Sequence, residues 1–100
     1  MKTRVIVENK VESIHEFDIK KSKNKSGEVV YELYYSKNPV WSNSSRGKLI
    51  MRCTNTGDDY KFEFSDNFQF GNLDYDEAFF MHVLLKYVYR KNKYGKIKFK

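Results

Sequence analysis

Residues 29–35 read VVYELYY, with Val29, Tyr31, Leu33 and Tyr35 on one side of a two-residue period and Val30, Glu32 and Tyr34 on the other. Such alternation predicts a β-strand. The same period recurs along the first two-thirds of the chain. Residues 2–8 (KTRVIVE) predict a first strand, followed by a turn at Glu8-Asn9-Lys10. Residues 11–20 place His15, Phe17 and Ile19 opposite Glu16, Asp18 and Lys20. Residues 48–54 (KLIMRCT) resume strand character, and 59–65 set Tyr60, Phe62 and Phe64 against Asp59, Lys61 and Glu63. KSKNKSG (21–27) and NTGDD (55–59) predict the hairpin connections between these strands. Residues 37–47 (KNPVWSNSSRG) predict a loop, with Trp41 inside it.

Beyond residue 73 the period changes. Asp74 and Glu77 fit a capping pair, with Leu73 as its hydrophobic staple, and the pattern stays helical to about Asn92, with Gly95 as a stop signal. At 100° per residue, Ala78, Met81, Leu84, Leu85, Val88 and Tyr89 form one broad stripe, the expected sheet-facing side. Phe79, Val83 and Tyr87 fall outside that stripe; a helix apolar on more than one side is expected to be buried on both in a sheet-wrapped domain, or else to offer the second side to a partner protein. KIKFK (96–100) predicts a short final edge strand. The expected fold is α+β: one domain over 1–100, an antiparallel sheet of about five strands, one C-terminal helix (about 74–92) packed on it, and that final strand.

Composition supports a folded chain. Apolar residues make up 40% and aromatics 17%, too rich for disorder. One Ala, one Pro, eight Tyr and eight Phe favour strands. The bias towards Lys, Asn, Tyr, Phe and Ile is that of an AT-rich coding sequence and suits a low-GC bacterium or its phages. Cys53 is the one cysteine, so no intramolecular disulfide forms, and a reducing, cytoplasmic setting is expected. The first ten residues predict no secretory leader, and no apolar run reaches the 18 residues that would predict a membrane span.

Charge alters the functional picture most. The net charge of +6 is segregated: residues 58–77 carry one cation against seven acids, while residues 78–100 carry seven cations and no acid. Acids at the start of the helix and cations at its end complement its dipole, and lysines along an edge strand deter aggregation. Neither effect requires 23 residues without an acid, because ordinary surfaces mix both signs. A polyanion partner does account for it. Lys86, Arg90, Lys91, Lys93, Lys96 and Lys98 would contact phosphates, and Tyr87, Tyr89, Tyr94 and Phe99 would offer stacking surfaces to unpaired bases. Lys21, Lys23 and Lys25 of the first hairpin connection form a second candidate basic element.

Catalytic and metal chemistry find little support. His15 and His82 lack sequence-local partners, and one Cys with two scattered His makes a poor ligand set. Asp18-Ile19-Lys20 has the acid-x-Lys form of metal-dependent nucleases, but an alternating strand produces the same tripeptide. The alternation of Leu49, Met51 and Cys53 predicts a buried thiol, and the five glycines form no phosphate loop. The expectation is a small non-enzymatic protein without cofactors or metal. Its partner would be nucleic acid, single-stranded favoured, or a nucleic-acid-processing protein; a homodimer is a further expected assembly, and a membrane is not expected. The alternative is a phage-type protein–protein inhibitor of a host enzyme or defence nuclease, and the third reading is a metal-dependent nuclease using Asp18 and Lys20.

Overall fold

The computed structural model describes residues 2–8, 14–37, 47–66, 77–90 and 96–99. Six strands and one helix follow in the order β1 (Lys2–Glu8), β2 (Ile14–Lys23), β3 (Val29–Lys37), β4 (Leu49–Asn55), β5 (Tyr60–Phe64), α1 (Glu77–Tyr89) and β6 (Lys96–Phe99). All pairings are antiparallel, and the strands lie in the order β5-β4-β3-β2-β1-β6. The expected α+β class holds, with slightly more strands than the five expected. KIKF is the sixth and pairs with β1 at one edge, while β5 forms the other.

Register shows why the alternating residues share a core. Thr3 lies opposite Ile19, Ile19 opposite Leu33, Leu33 opposite Met51 and Met51 opposite Phe64, a row across five strands on one face. Val5, Phe17 and Tyr35 form the next row. Against this face pack Phe79, Phe80, Val83 and Leu84 of α1. Phe80 meets Phe17 edge to face at 5.7 Å between ring centroids, a favoured aromatic geometry.

The other face carries ion pairs across strands. Arg4 Nε contacts Asp18 Oδ1 at 3.2 Å, Arg52 Nη2 contacts Glu32 Oε2 at 3.0 Å, and Lys98 Nζ contacts Glu8 Oε1 at 3.0 Å. Such half-solvated pairs contribute about 1 kcal/mol or less each. They favour this register more than they favour folding.

Two expectations need correction. β2 runs on to Lys23, so Lys21 and Lys23 belong to a strand and not to the hairpin connection. The connection narrows to Lys25, Ser26 and Gly27, closed by Asn24 N–H to Glu28 O at 3.0 Å, with Gly27 at φ 81°. A three-residue hairpin needs a left-handed residue there, and glycine adopts that conformation without a Cβ penalty. The second correction is the rotation of the helix. Phe79, Phe80, Val83 and Leu84 are buried, whereas Ala78 and Tyr89 are exposed and Met81, Leu85 and Val88 are half-buried. The inward side is therefore nearly opposite the expected stripe, and of that stripe only Leu84 is fully buried. Apolar residues surround this helix, so periodicity alone leaves its rotation weakly determined; burying two Phe rings removes more surface than burying Ala78 and Tyr89.

The helix ends at Arg90, whose φ of 56° is left-handed and whose N–H bonds the carbonyl of Lys86. This closes the last turn in the manner usual for a glycine. The expected capping pair at Asp74 and Glu77, the staple Leu73, the stop at Gly95 and the loop with Trp41 involve positions outside the described residues.

Candidate nucleic-acid interface

In an antiparallel meander, alternate strand ends meet at one end of the sheet. Here the start of β1, the end of β2, the starts of β3 and β5 and the end of β6 converge with the last turn of α1. Tyrosines supplied by that arrangement form a row. Tyr60 of β5 and Tyr89 of α1 meet edge to face at 6.2 Å, with their hydroxyl oxygens in hydrogen-bond contact at 3.3 Å. Tyr31 of β3 meets Tyr87 of α1 at 6.0 Å, and Tyr87 leans on Phe99 of β6 at 6.2 Å. The Tyr87 hydroxyl lies 3.3 Å from Thr3 Oγ1.

Cations join the row at two points. Lys21 Nζ stands 6.0 Å from the centroid of Tyr31, within cation–π range. Arg90 lines a hollow of about 270 Å³ together with Thr3, Tyr87 and Phe99. Tyr89 and Phe99 are 57% and 39% exposed, and they are the exposed large apolar side chains among the described residues. Both belong to this row.

The Tyr31 and Tyr60 phenols remain protonated at neutral pH. The hydrogen bond with Tyr89, then burial, pushes Tyr60 up to about 12. Tyr31 is raised by burial, then by the neighbouring Tyr87 and Cys53. Neutral hydroxyls can donate to phosphate oxygens, which phenolates cannot.

The candidate residues divide. Lys21 and Arg90 reach the tyrosine row, Lys25 sits exposed at the hairpin tip, and Lys23 borders a hollow that Glu32 and Arg52 also line. Lys96 and Lys98 stand opposite Glu8 and Ile6 on the helix-free face, and Lys98 is paired with Glu8. Lys86 is 8% exposed, so it belongs to the packed helix flank and not to a phosphate-contacting surface. Phe79 and Val83, expected on a partner-facing side, are core residues, and Tyr87 belongs to the tyrosine row. Lys91, Lys93 and Tyr94 lie outside the described residues. Tyr31, Tyr60 and Thr3 were not among the expected contact residues, although each falls near a strand end, where a meander gathers residues distant in sequence.

The other candidate chemistries take simpler positions. Asp18 is mostly buried and bonded to Arg4. His15 is buried against Phe17, with ring centroids 6.4 Å apart. Among the described residues no group of three or more His, Cys, Asp or Glu is placed to hold a metal ion, and no helix is long and apolar enough to cross a membrane. Cys53 is 1% exposed, and burial pushes its thiol up to about 11. Native protein is therefore expected to react with a thiol reagent at pH 8 at least about a hundredfold more slowly than urea-unfolded protein, because both access and thiolate are withheld. Between about pH 9 and 11 the unfolded thiol loses its proton while the folded one keeps it, so stability should fall as pH rises through that window. Tyr60 and Tyr31, raised likewise, add a fall of the same sign above about pH 10, so a Cys53→Ser variant should lose the slope between about pH 9 and 10 and keep the part above it.

No family model matches the chain, and no match was found among curated proteins or solved structures.

Proposed function

We propose that this is a non-enzymatic, cytoplasmic binding protein that takes single-stranded nucleic acid along the tyrosine row at the hairpin end of its helix-bearing face. The observation that carries the reading is the exposure of Tyr89 and Phe99 within a row that also holds Lys21 and Arg90. Ring faces stack on bases of any sequence, and the two cations engage phosphates. The acid-free segment 78–100 adds long-range attraction.

Fluorescence anisotropy with short single-stranded DNA, single-stranded RNA and duplex DNA tests this across a salt series. Affinity should favour a single strand, and its logarithm should fall with log salt by about 0.7 per phosphate contacted. Tyr89→Ala and Phe99→Ala should each weaken binding by roughly tenfold, since each stacked base contributes about 1–3 kcal/mol. Arg90→Gln should lower affinity and flatten the salt slope by about one contact. No binding at about 50 mM salt, or binding without a slope, would remove the proposal.

The same row favours a second reading. Exposed tyrosine beside arginine is also the composition of protein–protein hot spots, as a small inhibitor of a nucleic-acid enzyme would need. A stoichiometric protein captured from nuclease-treated lysate and lost on Tyr89→Ala would favour that alternative.

A further inference from the structure

The two edges of the sheet are built differently. β6 has four residues, with Lys96 and Lys98 on one face. Pairing β6 antiparallel with its own copy about Ile97 would set Lys96 against Lys98, and pairing about Lys98 would set lysine against lysine. Every same-face register there is repulsive, a known protection of an exposed edge. β5 has no such protection: Tyr60-Lys61-Phe62-Glu63-Phe64 contains no proline, and its register with β4 is unbroken.

The hydrogen bonds of the β4–β5 hairpin fix which backbone groups β5 presents outward. Thr56 N–H bonds Asp59 O at one end, and Ser65 N–H bonds Ile50 O at the other. Antiparallel pairs alternate between bonded and non-bonded, so Lys61 and Glu63 direct their backbone groups to β4. Tyr60 and Phe62 direct theirs away from β4, where no described strand lies beyond β5. Their side chains are half-buried on the helix-bearing face, while Lys61 and Glu63 are exposed on the other.

We propose that β5 pairs antiparallel with β5 of a second copy, with Phe62 on the two-fold axis. In this register Phe62 faces Phe62 of the second copy, Tyr60 faces its Phe64, and Lys61 faces its Glu63, each off-axis contact occurring twice. The outward backbone groups of Phe62 and of its copy meet as a bonded pair on the axis. The Lys–Glu pairs occupy non-bonded positions, where side chains approach most closely. Shifting the register by two residues sets Lys61 against Lys61 in one direction and Glu63 against Glu63 in the other. Charge therefore selects one register.

Within each chain a cross-strand row already alternates in sign, from Lys20 to Glu32 to Arg52 to Glu63. The second copy's Lys61 continues that alternation across the axis. The product is a twelve-stranded sheet with both helices on one face. Because the β5 strands run oppositely, the two tyrosine rows lie at opposite ends of it. The pairing stands independently of the nucleic-acid reading.

Sedimentation of nuclease-treated protein tests the pairing, with thermal melts confirming that each variant is folded. Wild type should show a concentration-dependent dimer of twice the 12.0 kDa chain. Lys61→Glu and Glu63→Lys should each weaken it at least about tenfold, because both ion pairs become repulsions. Mixing the two single variants should restore a dimer, and so should combining both substitutions in one chain. Lys61→Glu lies opposite Thr54, so the fold tolerates it, whereas Glu63→Lys places a second cation beside Arg52. Should Glu63→Lys fail to fold, a mixture of Lys61→Cys and Glu63→Cys chains should cross-link on oxidation far more than either alone. A monomer at concentrations up to about 1 mM overturns the proposal. So does a dimer indifferent to both charge swaps, a mixture that stays monomeric, or a cysteine mixture that cross-links no better than its components.

Discussion

Phe80→Ala is expected to lower unfolding free energy by about 3–5 kcal/mol, the range for removing a buried phenyl ring. The ring is fully buried, between Phe17 at 5.7 Å and Phe79 at 5.4 Å, and meets both edge to face. Nothing small can refill that space without moving the helix. A domain of this size has about 5–15 kcal/mol in total, so the variant should melt at least about 12 °C lower. The comparison that gives the result meaning is Ala78→Lys. Its site is exposed, and the change should stay within about 0.5 kcal/mol. If Ala78→Lys were the damaging change and Phe80→Ala the mild one, the helix would be rotated to the side that periodicity alone suggests.

Deleting residues 96–100 should cost at least about 2 kcal/mol and lower the melting temperature by roughly 8 °C or more. β6 does more than place lysines on the surface. Ile97 is 7% exposed and sits opposite Val7, and Phe99 sits opposite Val5. Deletion uncovers two fully buried valines and opens the backbone edge of β1. Replacing Lys96 and Lys98 by Ser keeps the strand and removes only exposed charge, including the Lys98–Glu8 pair, and should change stability by about 1 kcal/mol or less. Differential scanning calorimetry of the three proteins separates these contributions. A deletion with an unchanged melting temperature would show that β6 is not part of the cooperative unit.

The binding and folding roles of the C-terminal segment are thus separable. Ile97 anchors, Phe99 both anchors and extends the tyrosine row, and Lys96 and Lys98 face the opposite side. A run of alternating Lys and apolar residues resembles one basic element in linear order. Folded as a strand, it divides between two faces. Among the described cations of the acid-free segment, Arg90 is the one that stands among the tyrosines, joined by Lys21 from a distant strand.

Strand existence, the faces of β3 and β5, the buried Cys53 and the closing edge strand were all legible in the chain, because a two-residue period assigns faces without knowing any neighbour. Tyr31 and Leu33 face inward by that rule wherever β3 lies in the sheet. The rotation of α1 was not legible: apolar side chains surround it, and the choice among near-equivalent stripes fell to the packing of Phe79 and Phe80 against Phe17. The tyrosine row was not legible either, since Tyr31, Tyr60, Tyr87 and Phe99 meet only once the strand order brings their ends together. Local periodicity decided what each strand buries; the tertiary structure decided which surface residues became neighbours, because that depends on contacts far apart in sequence.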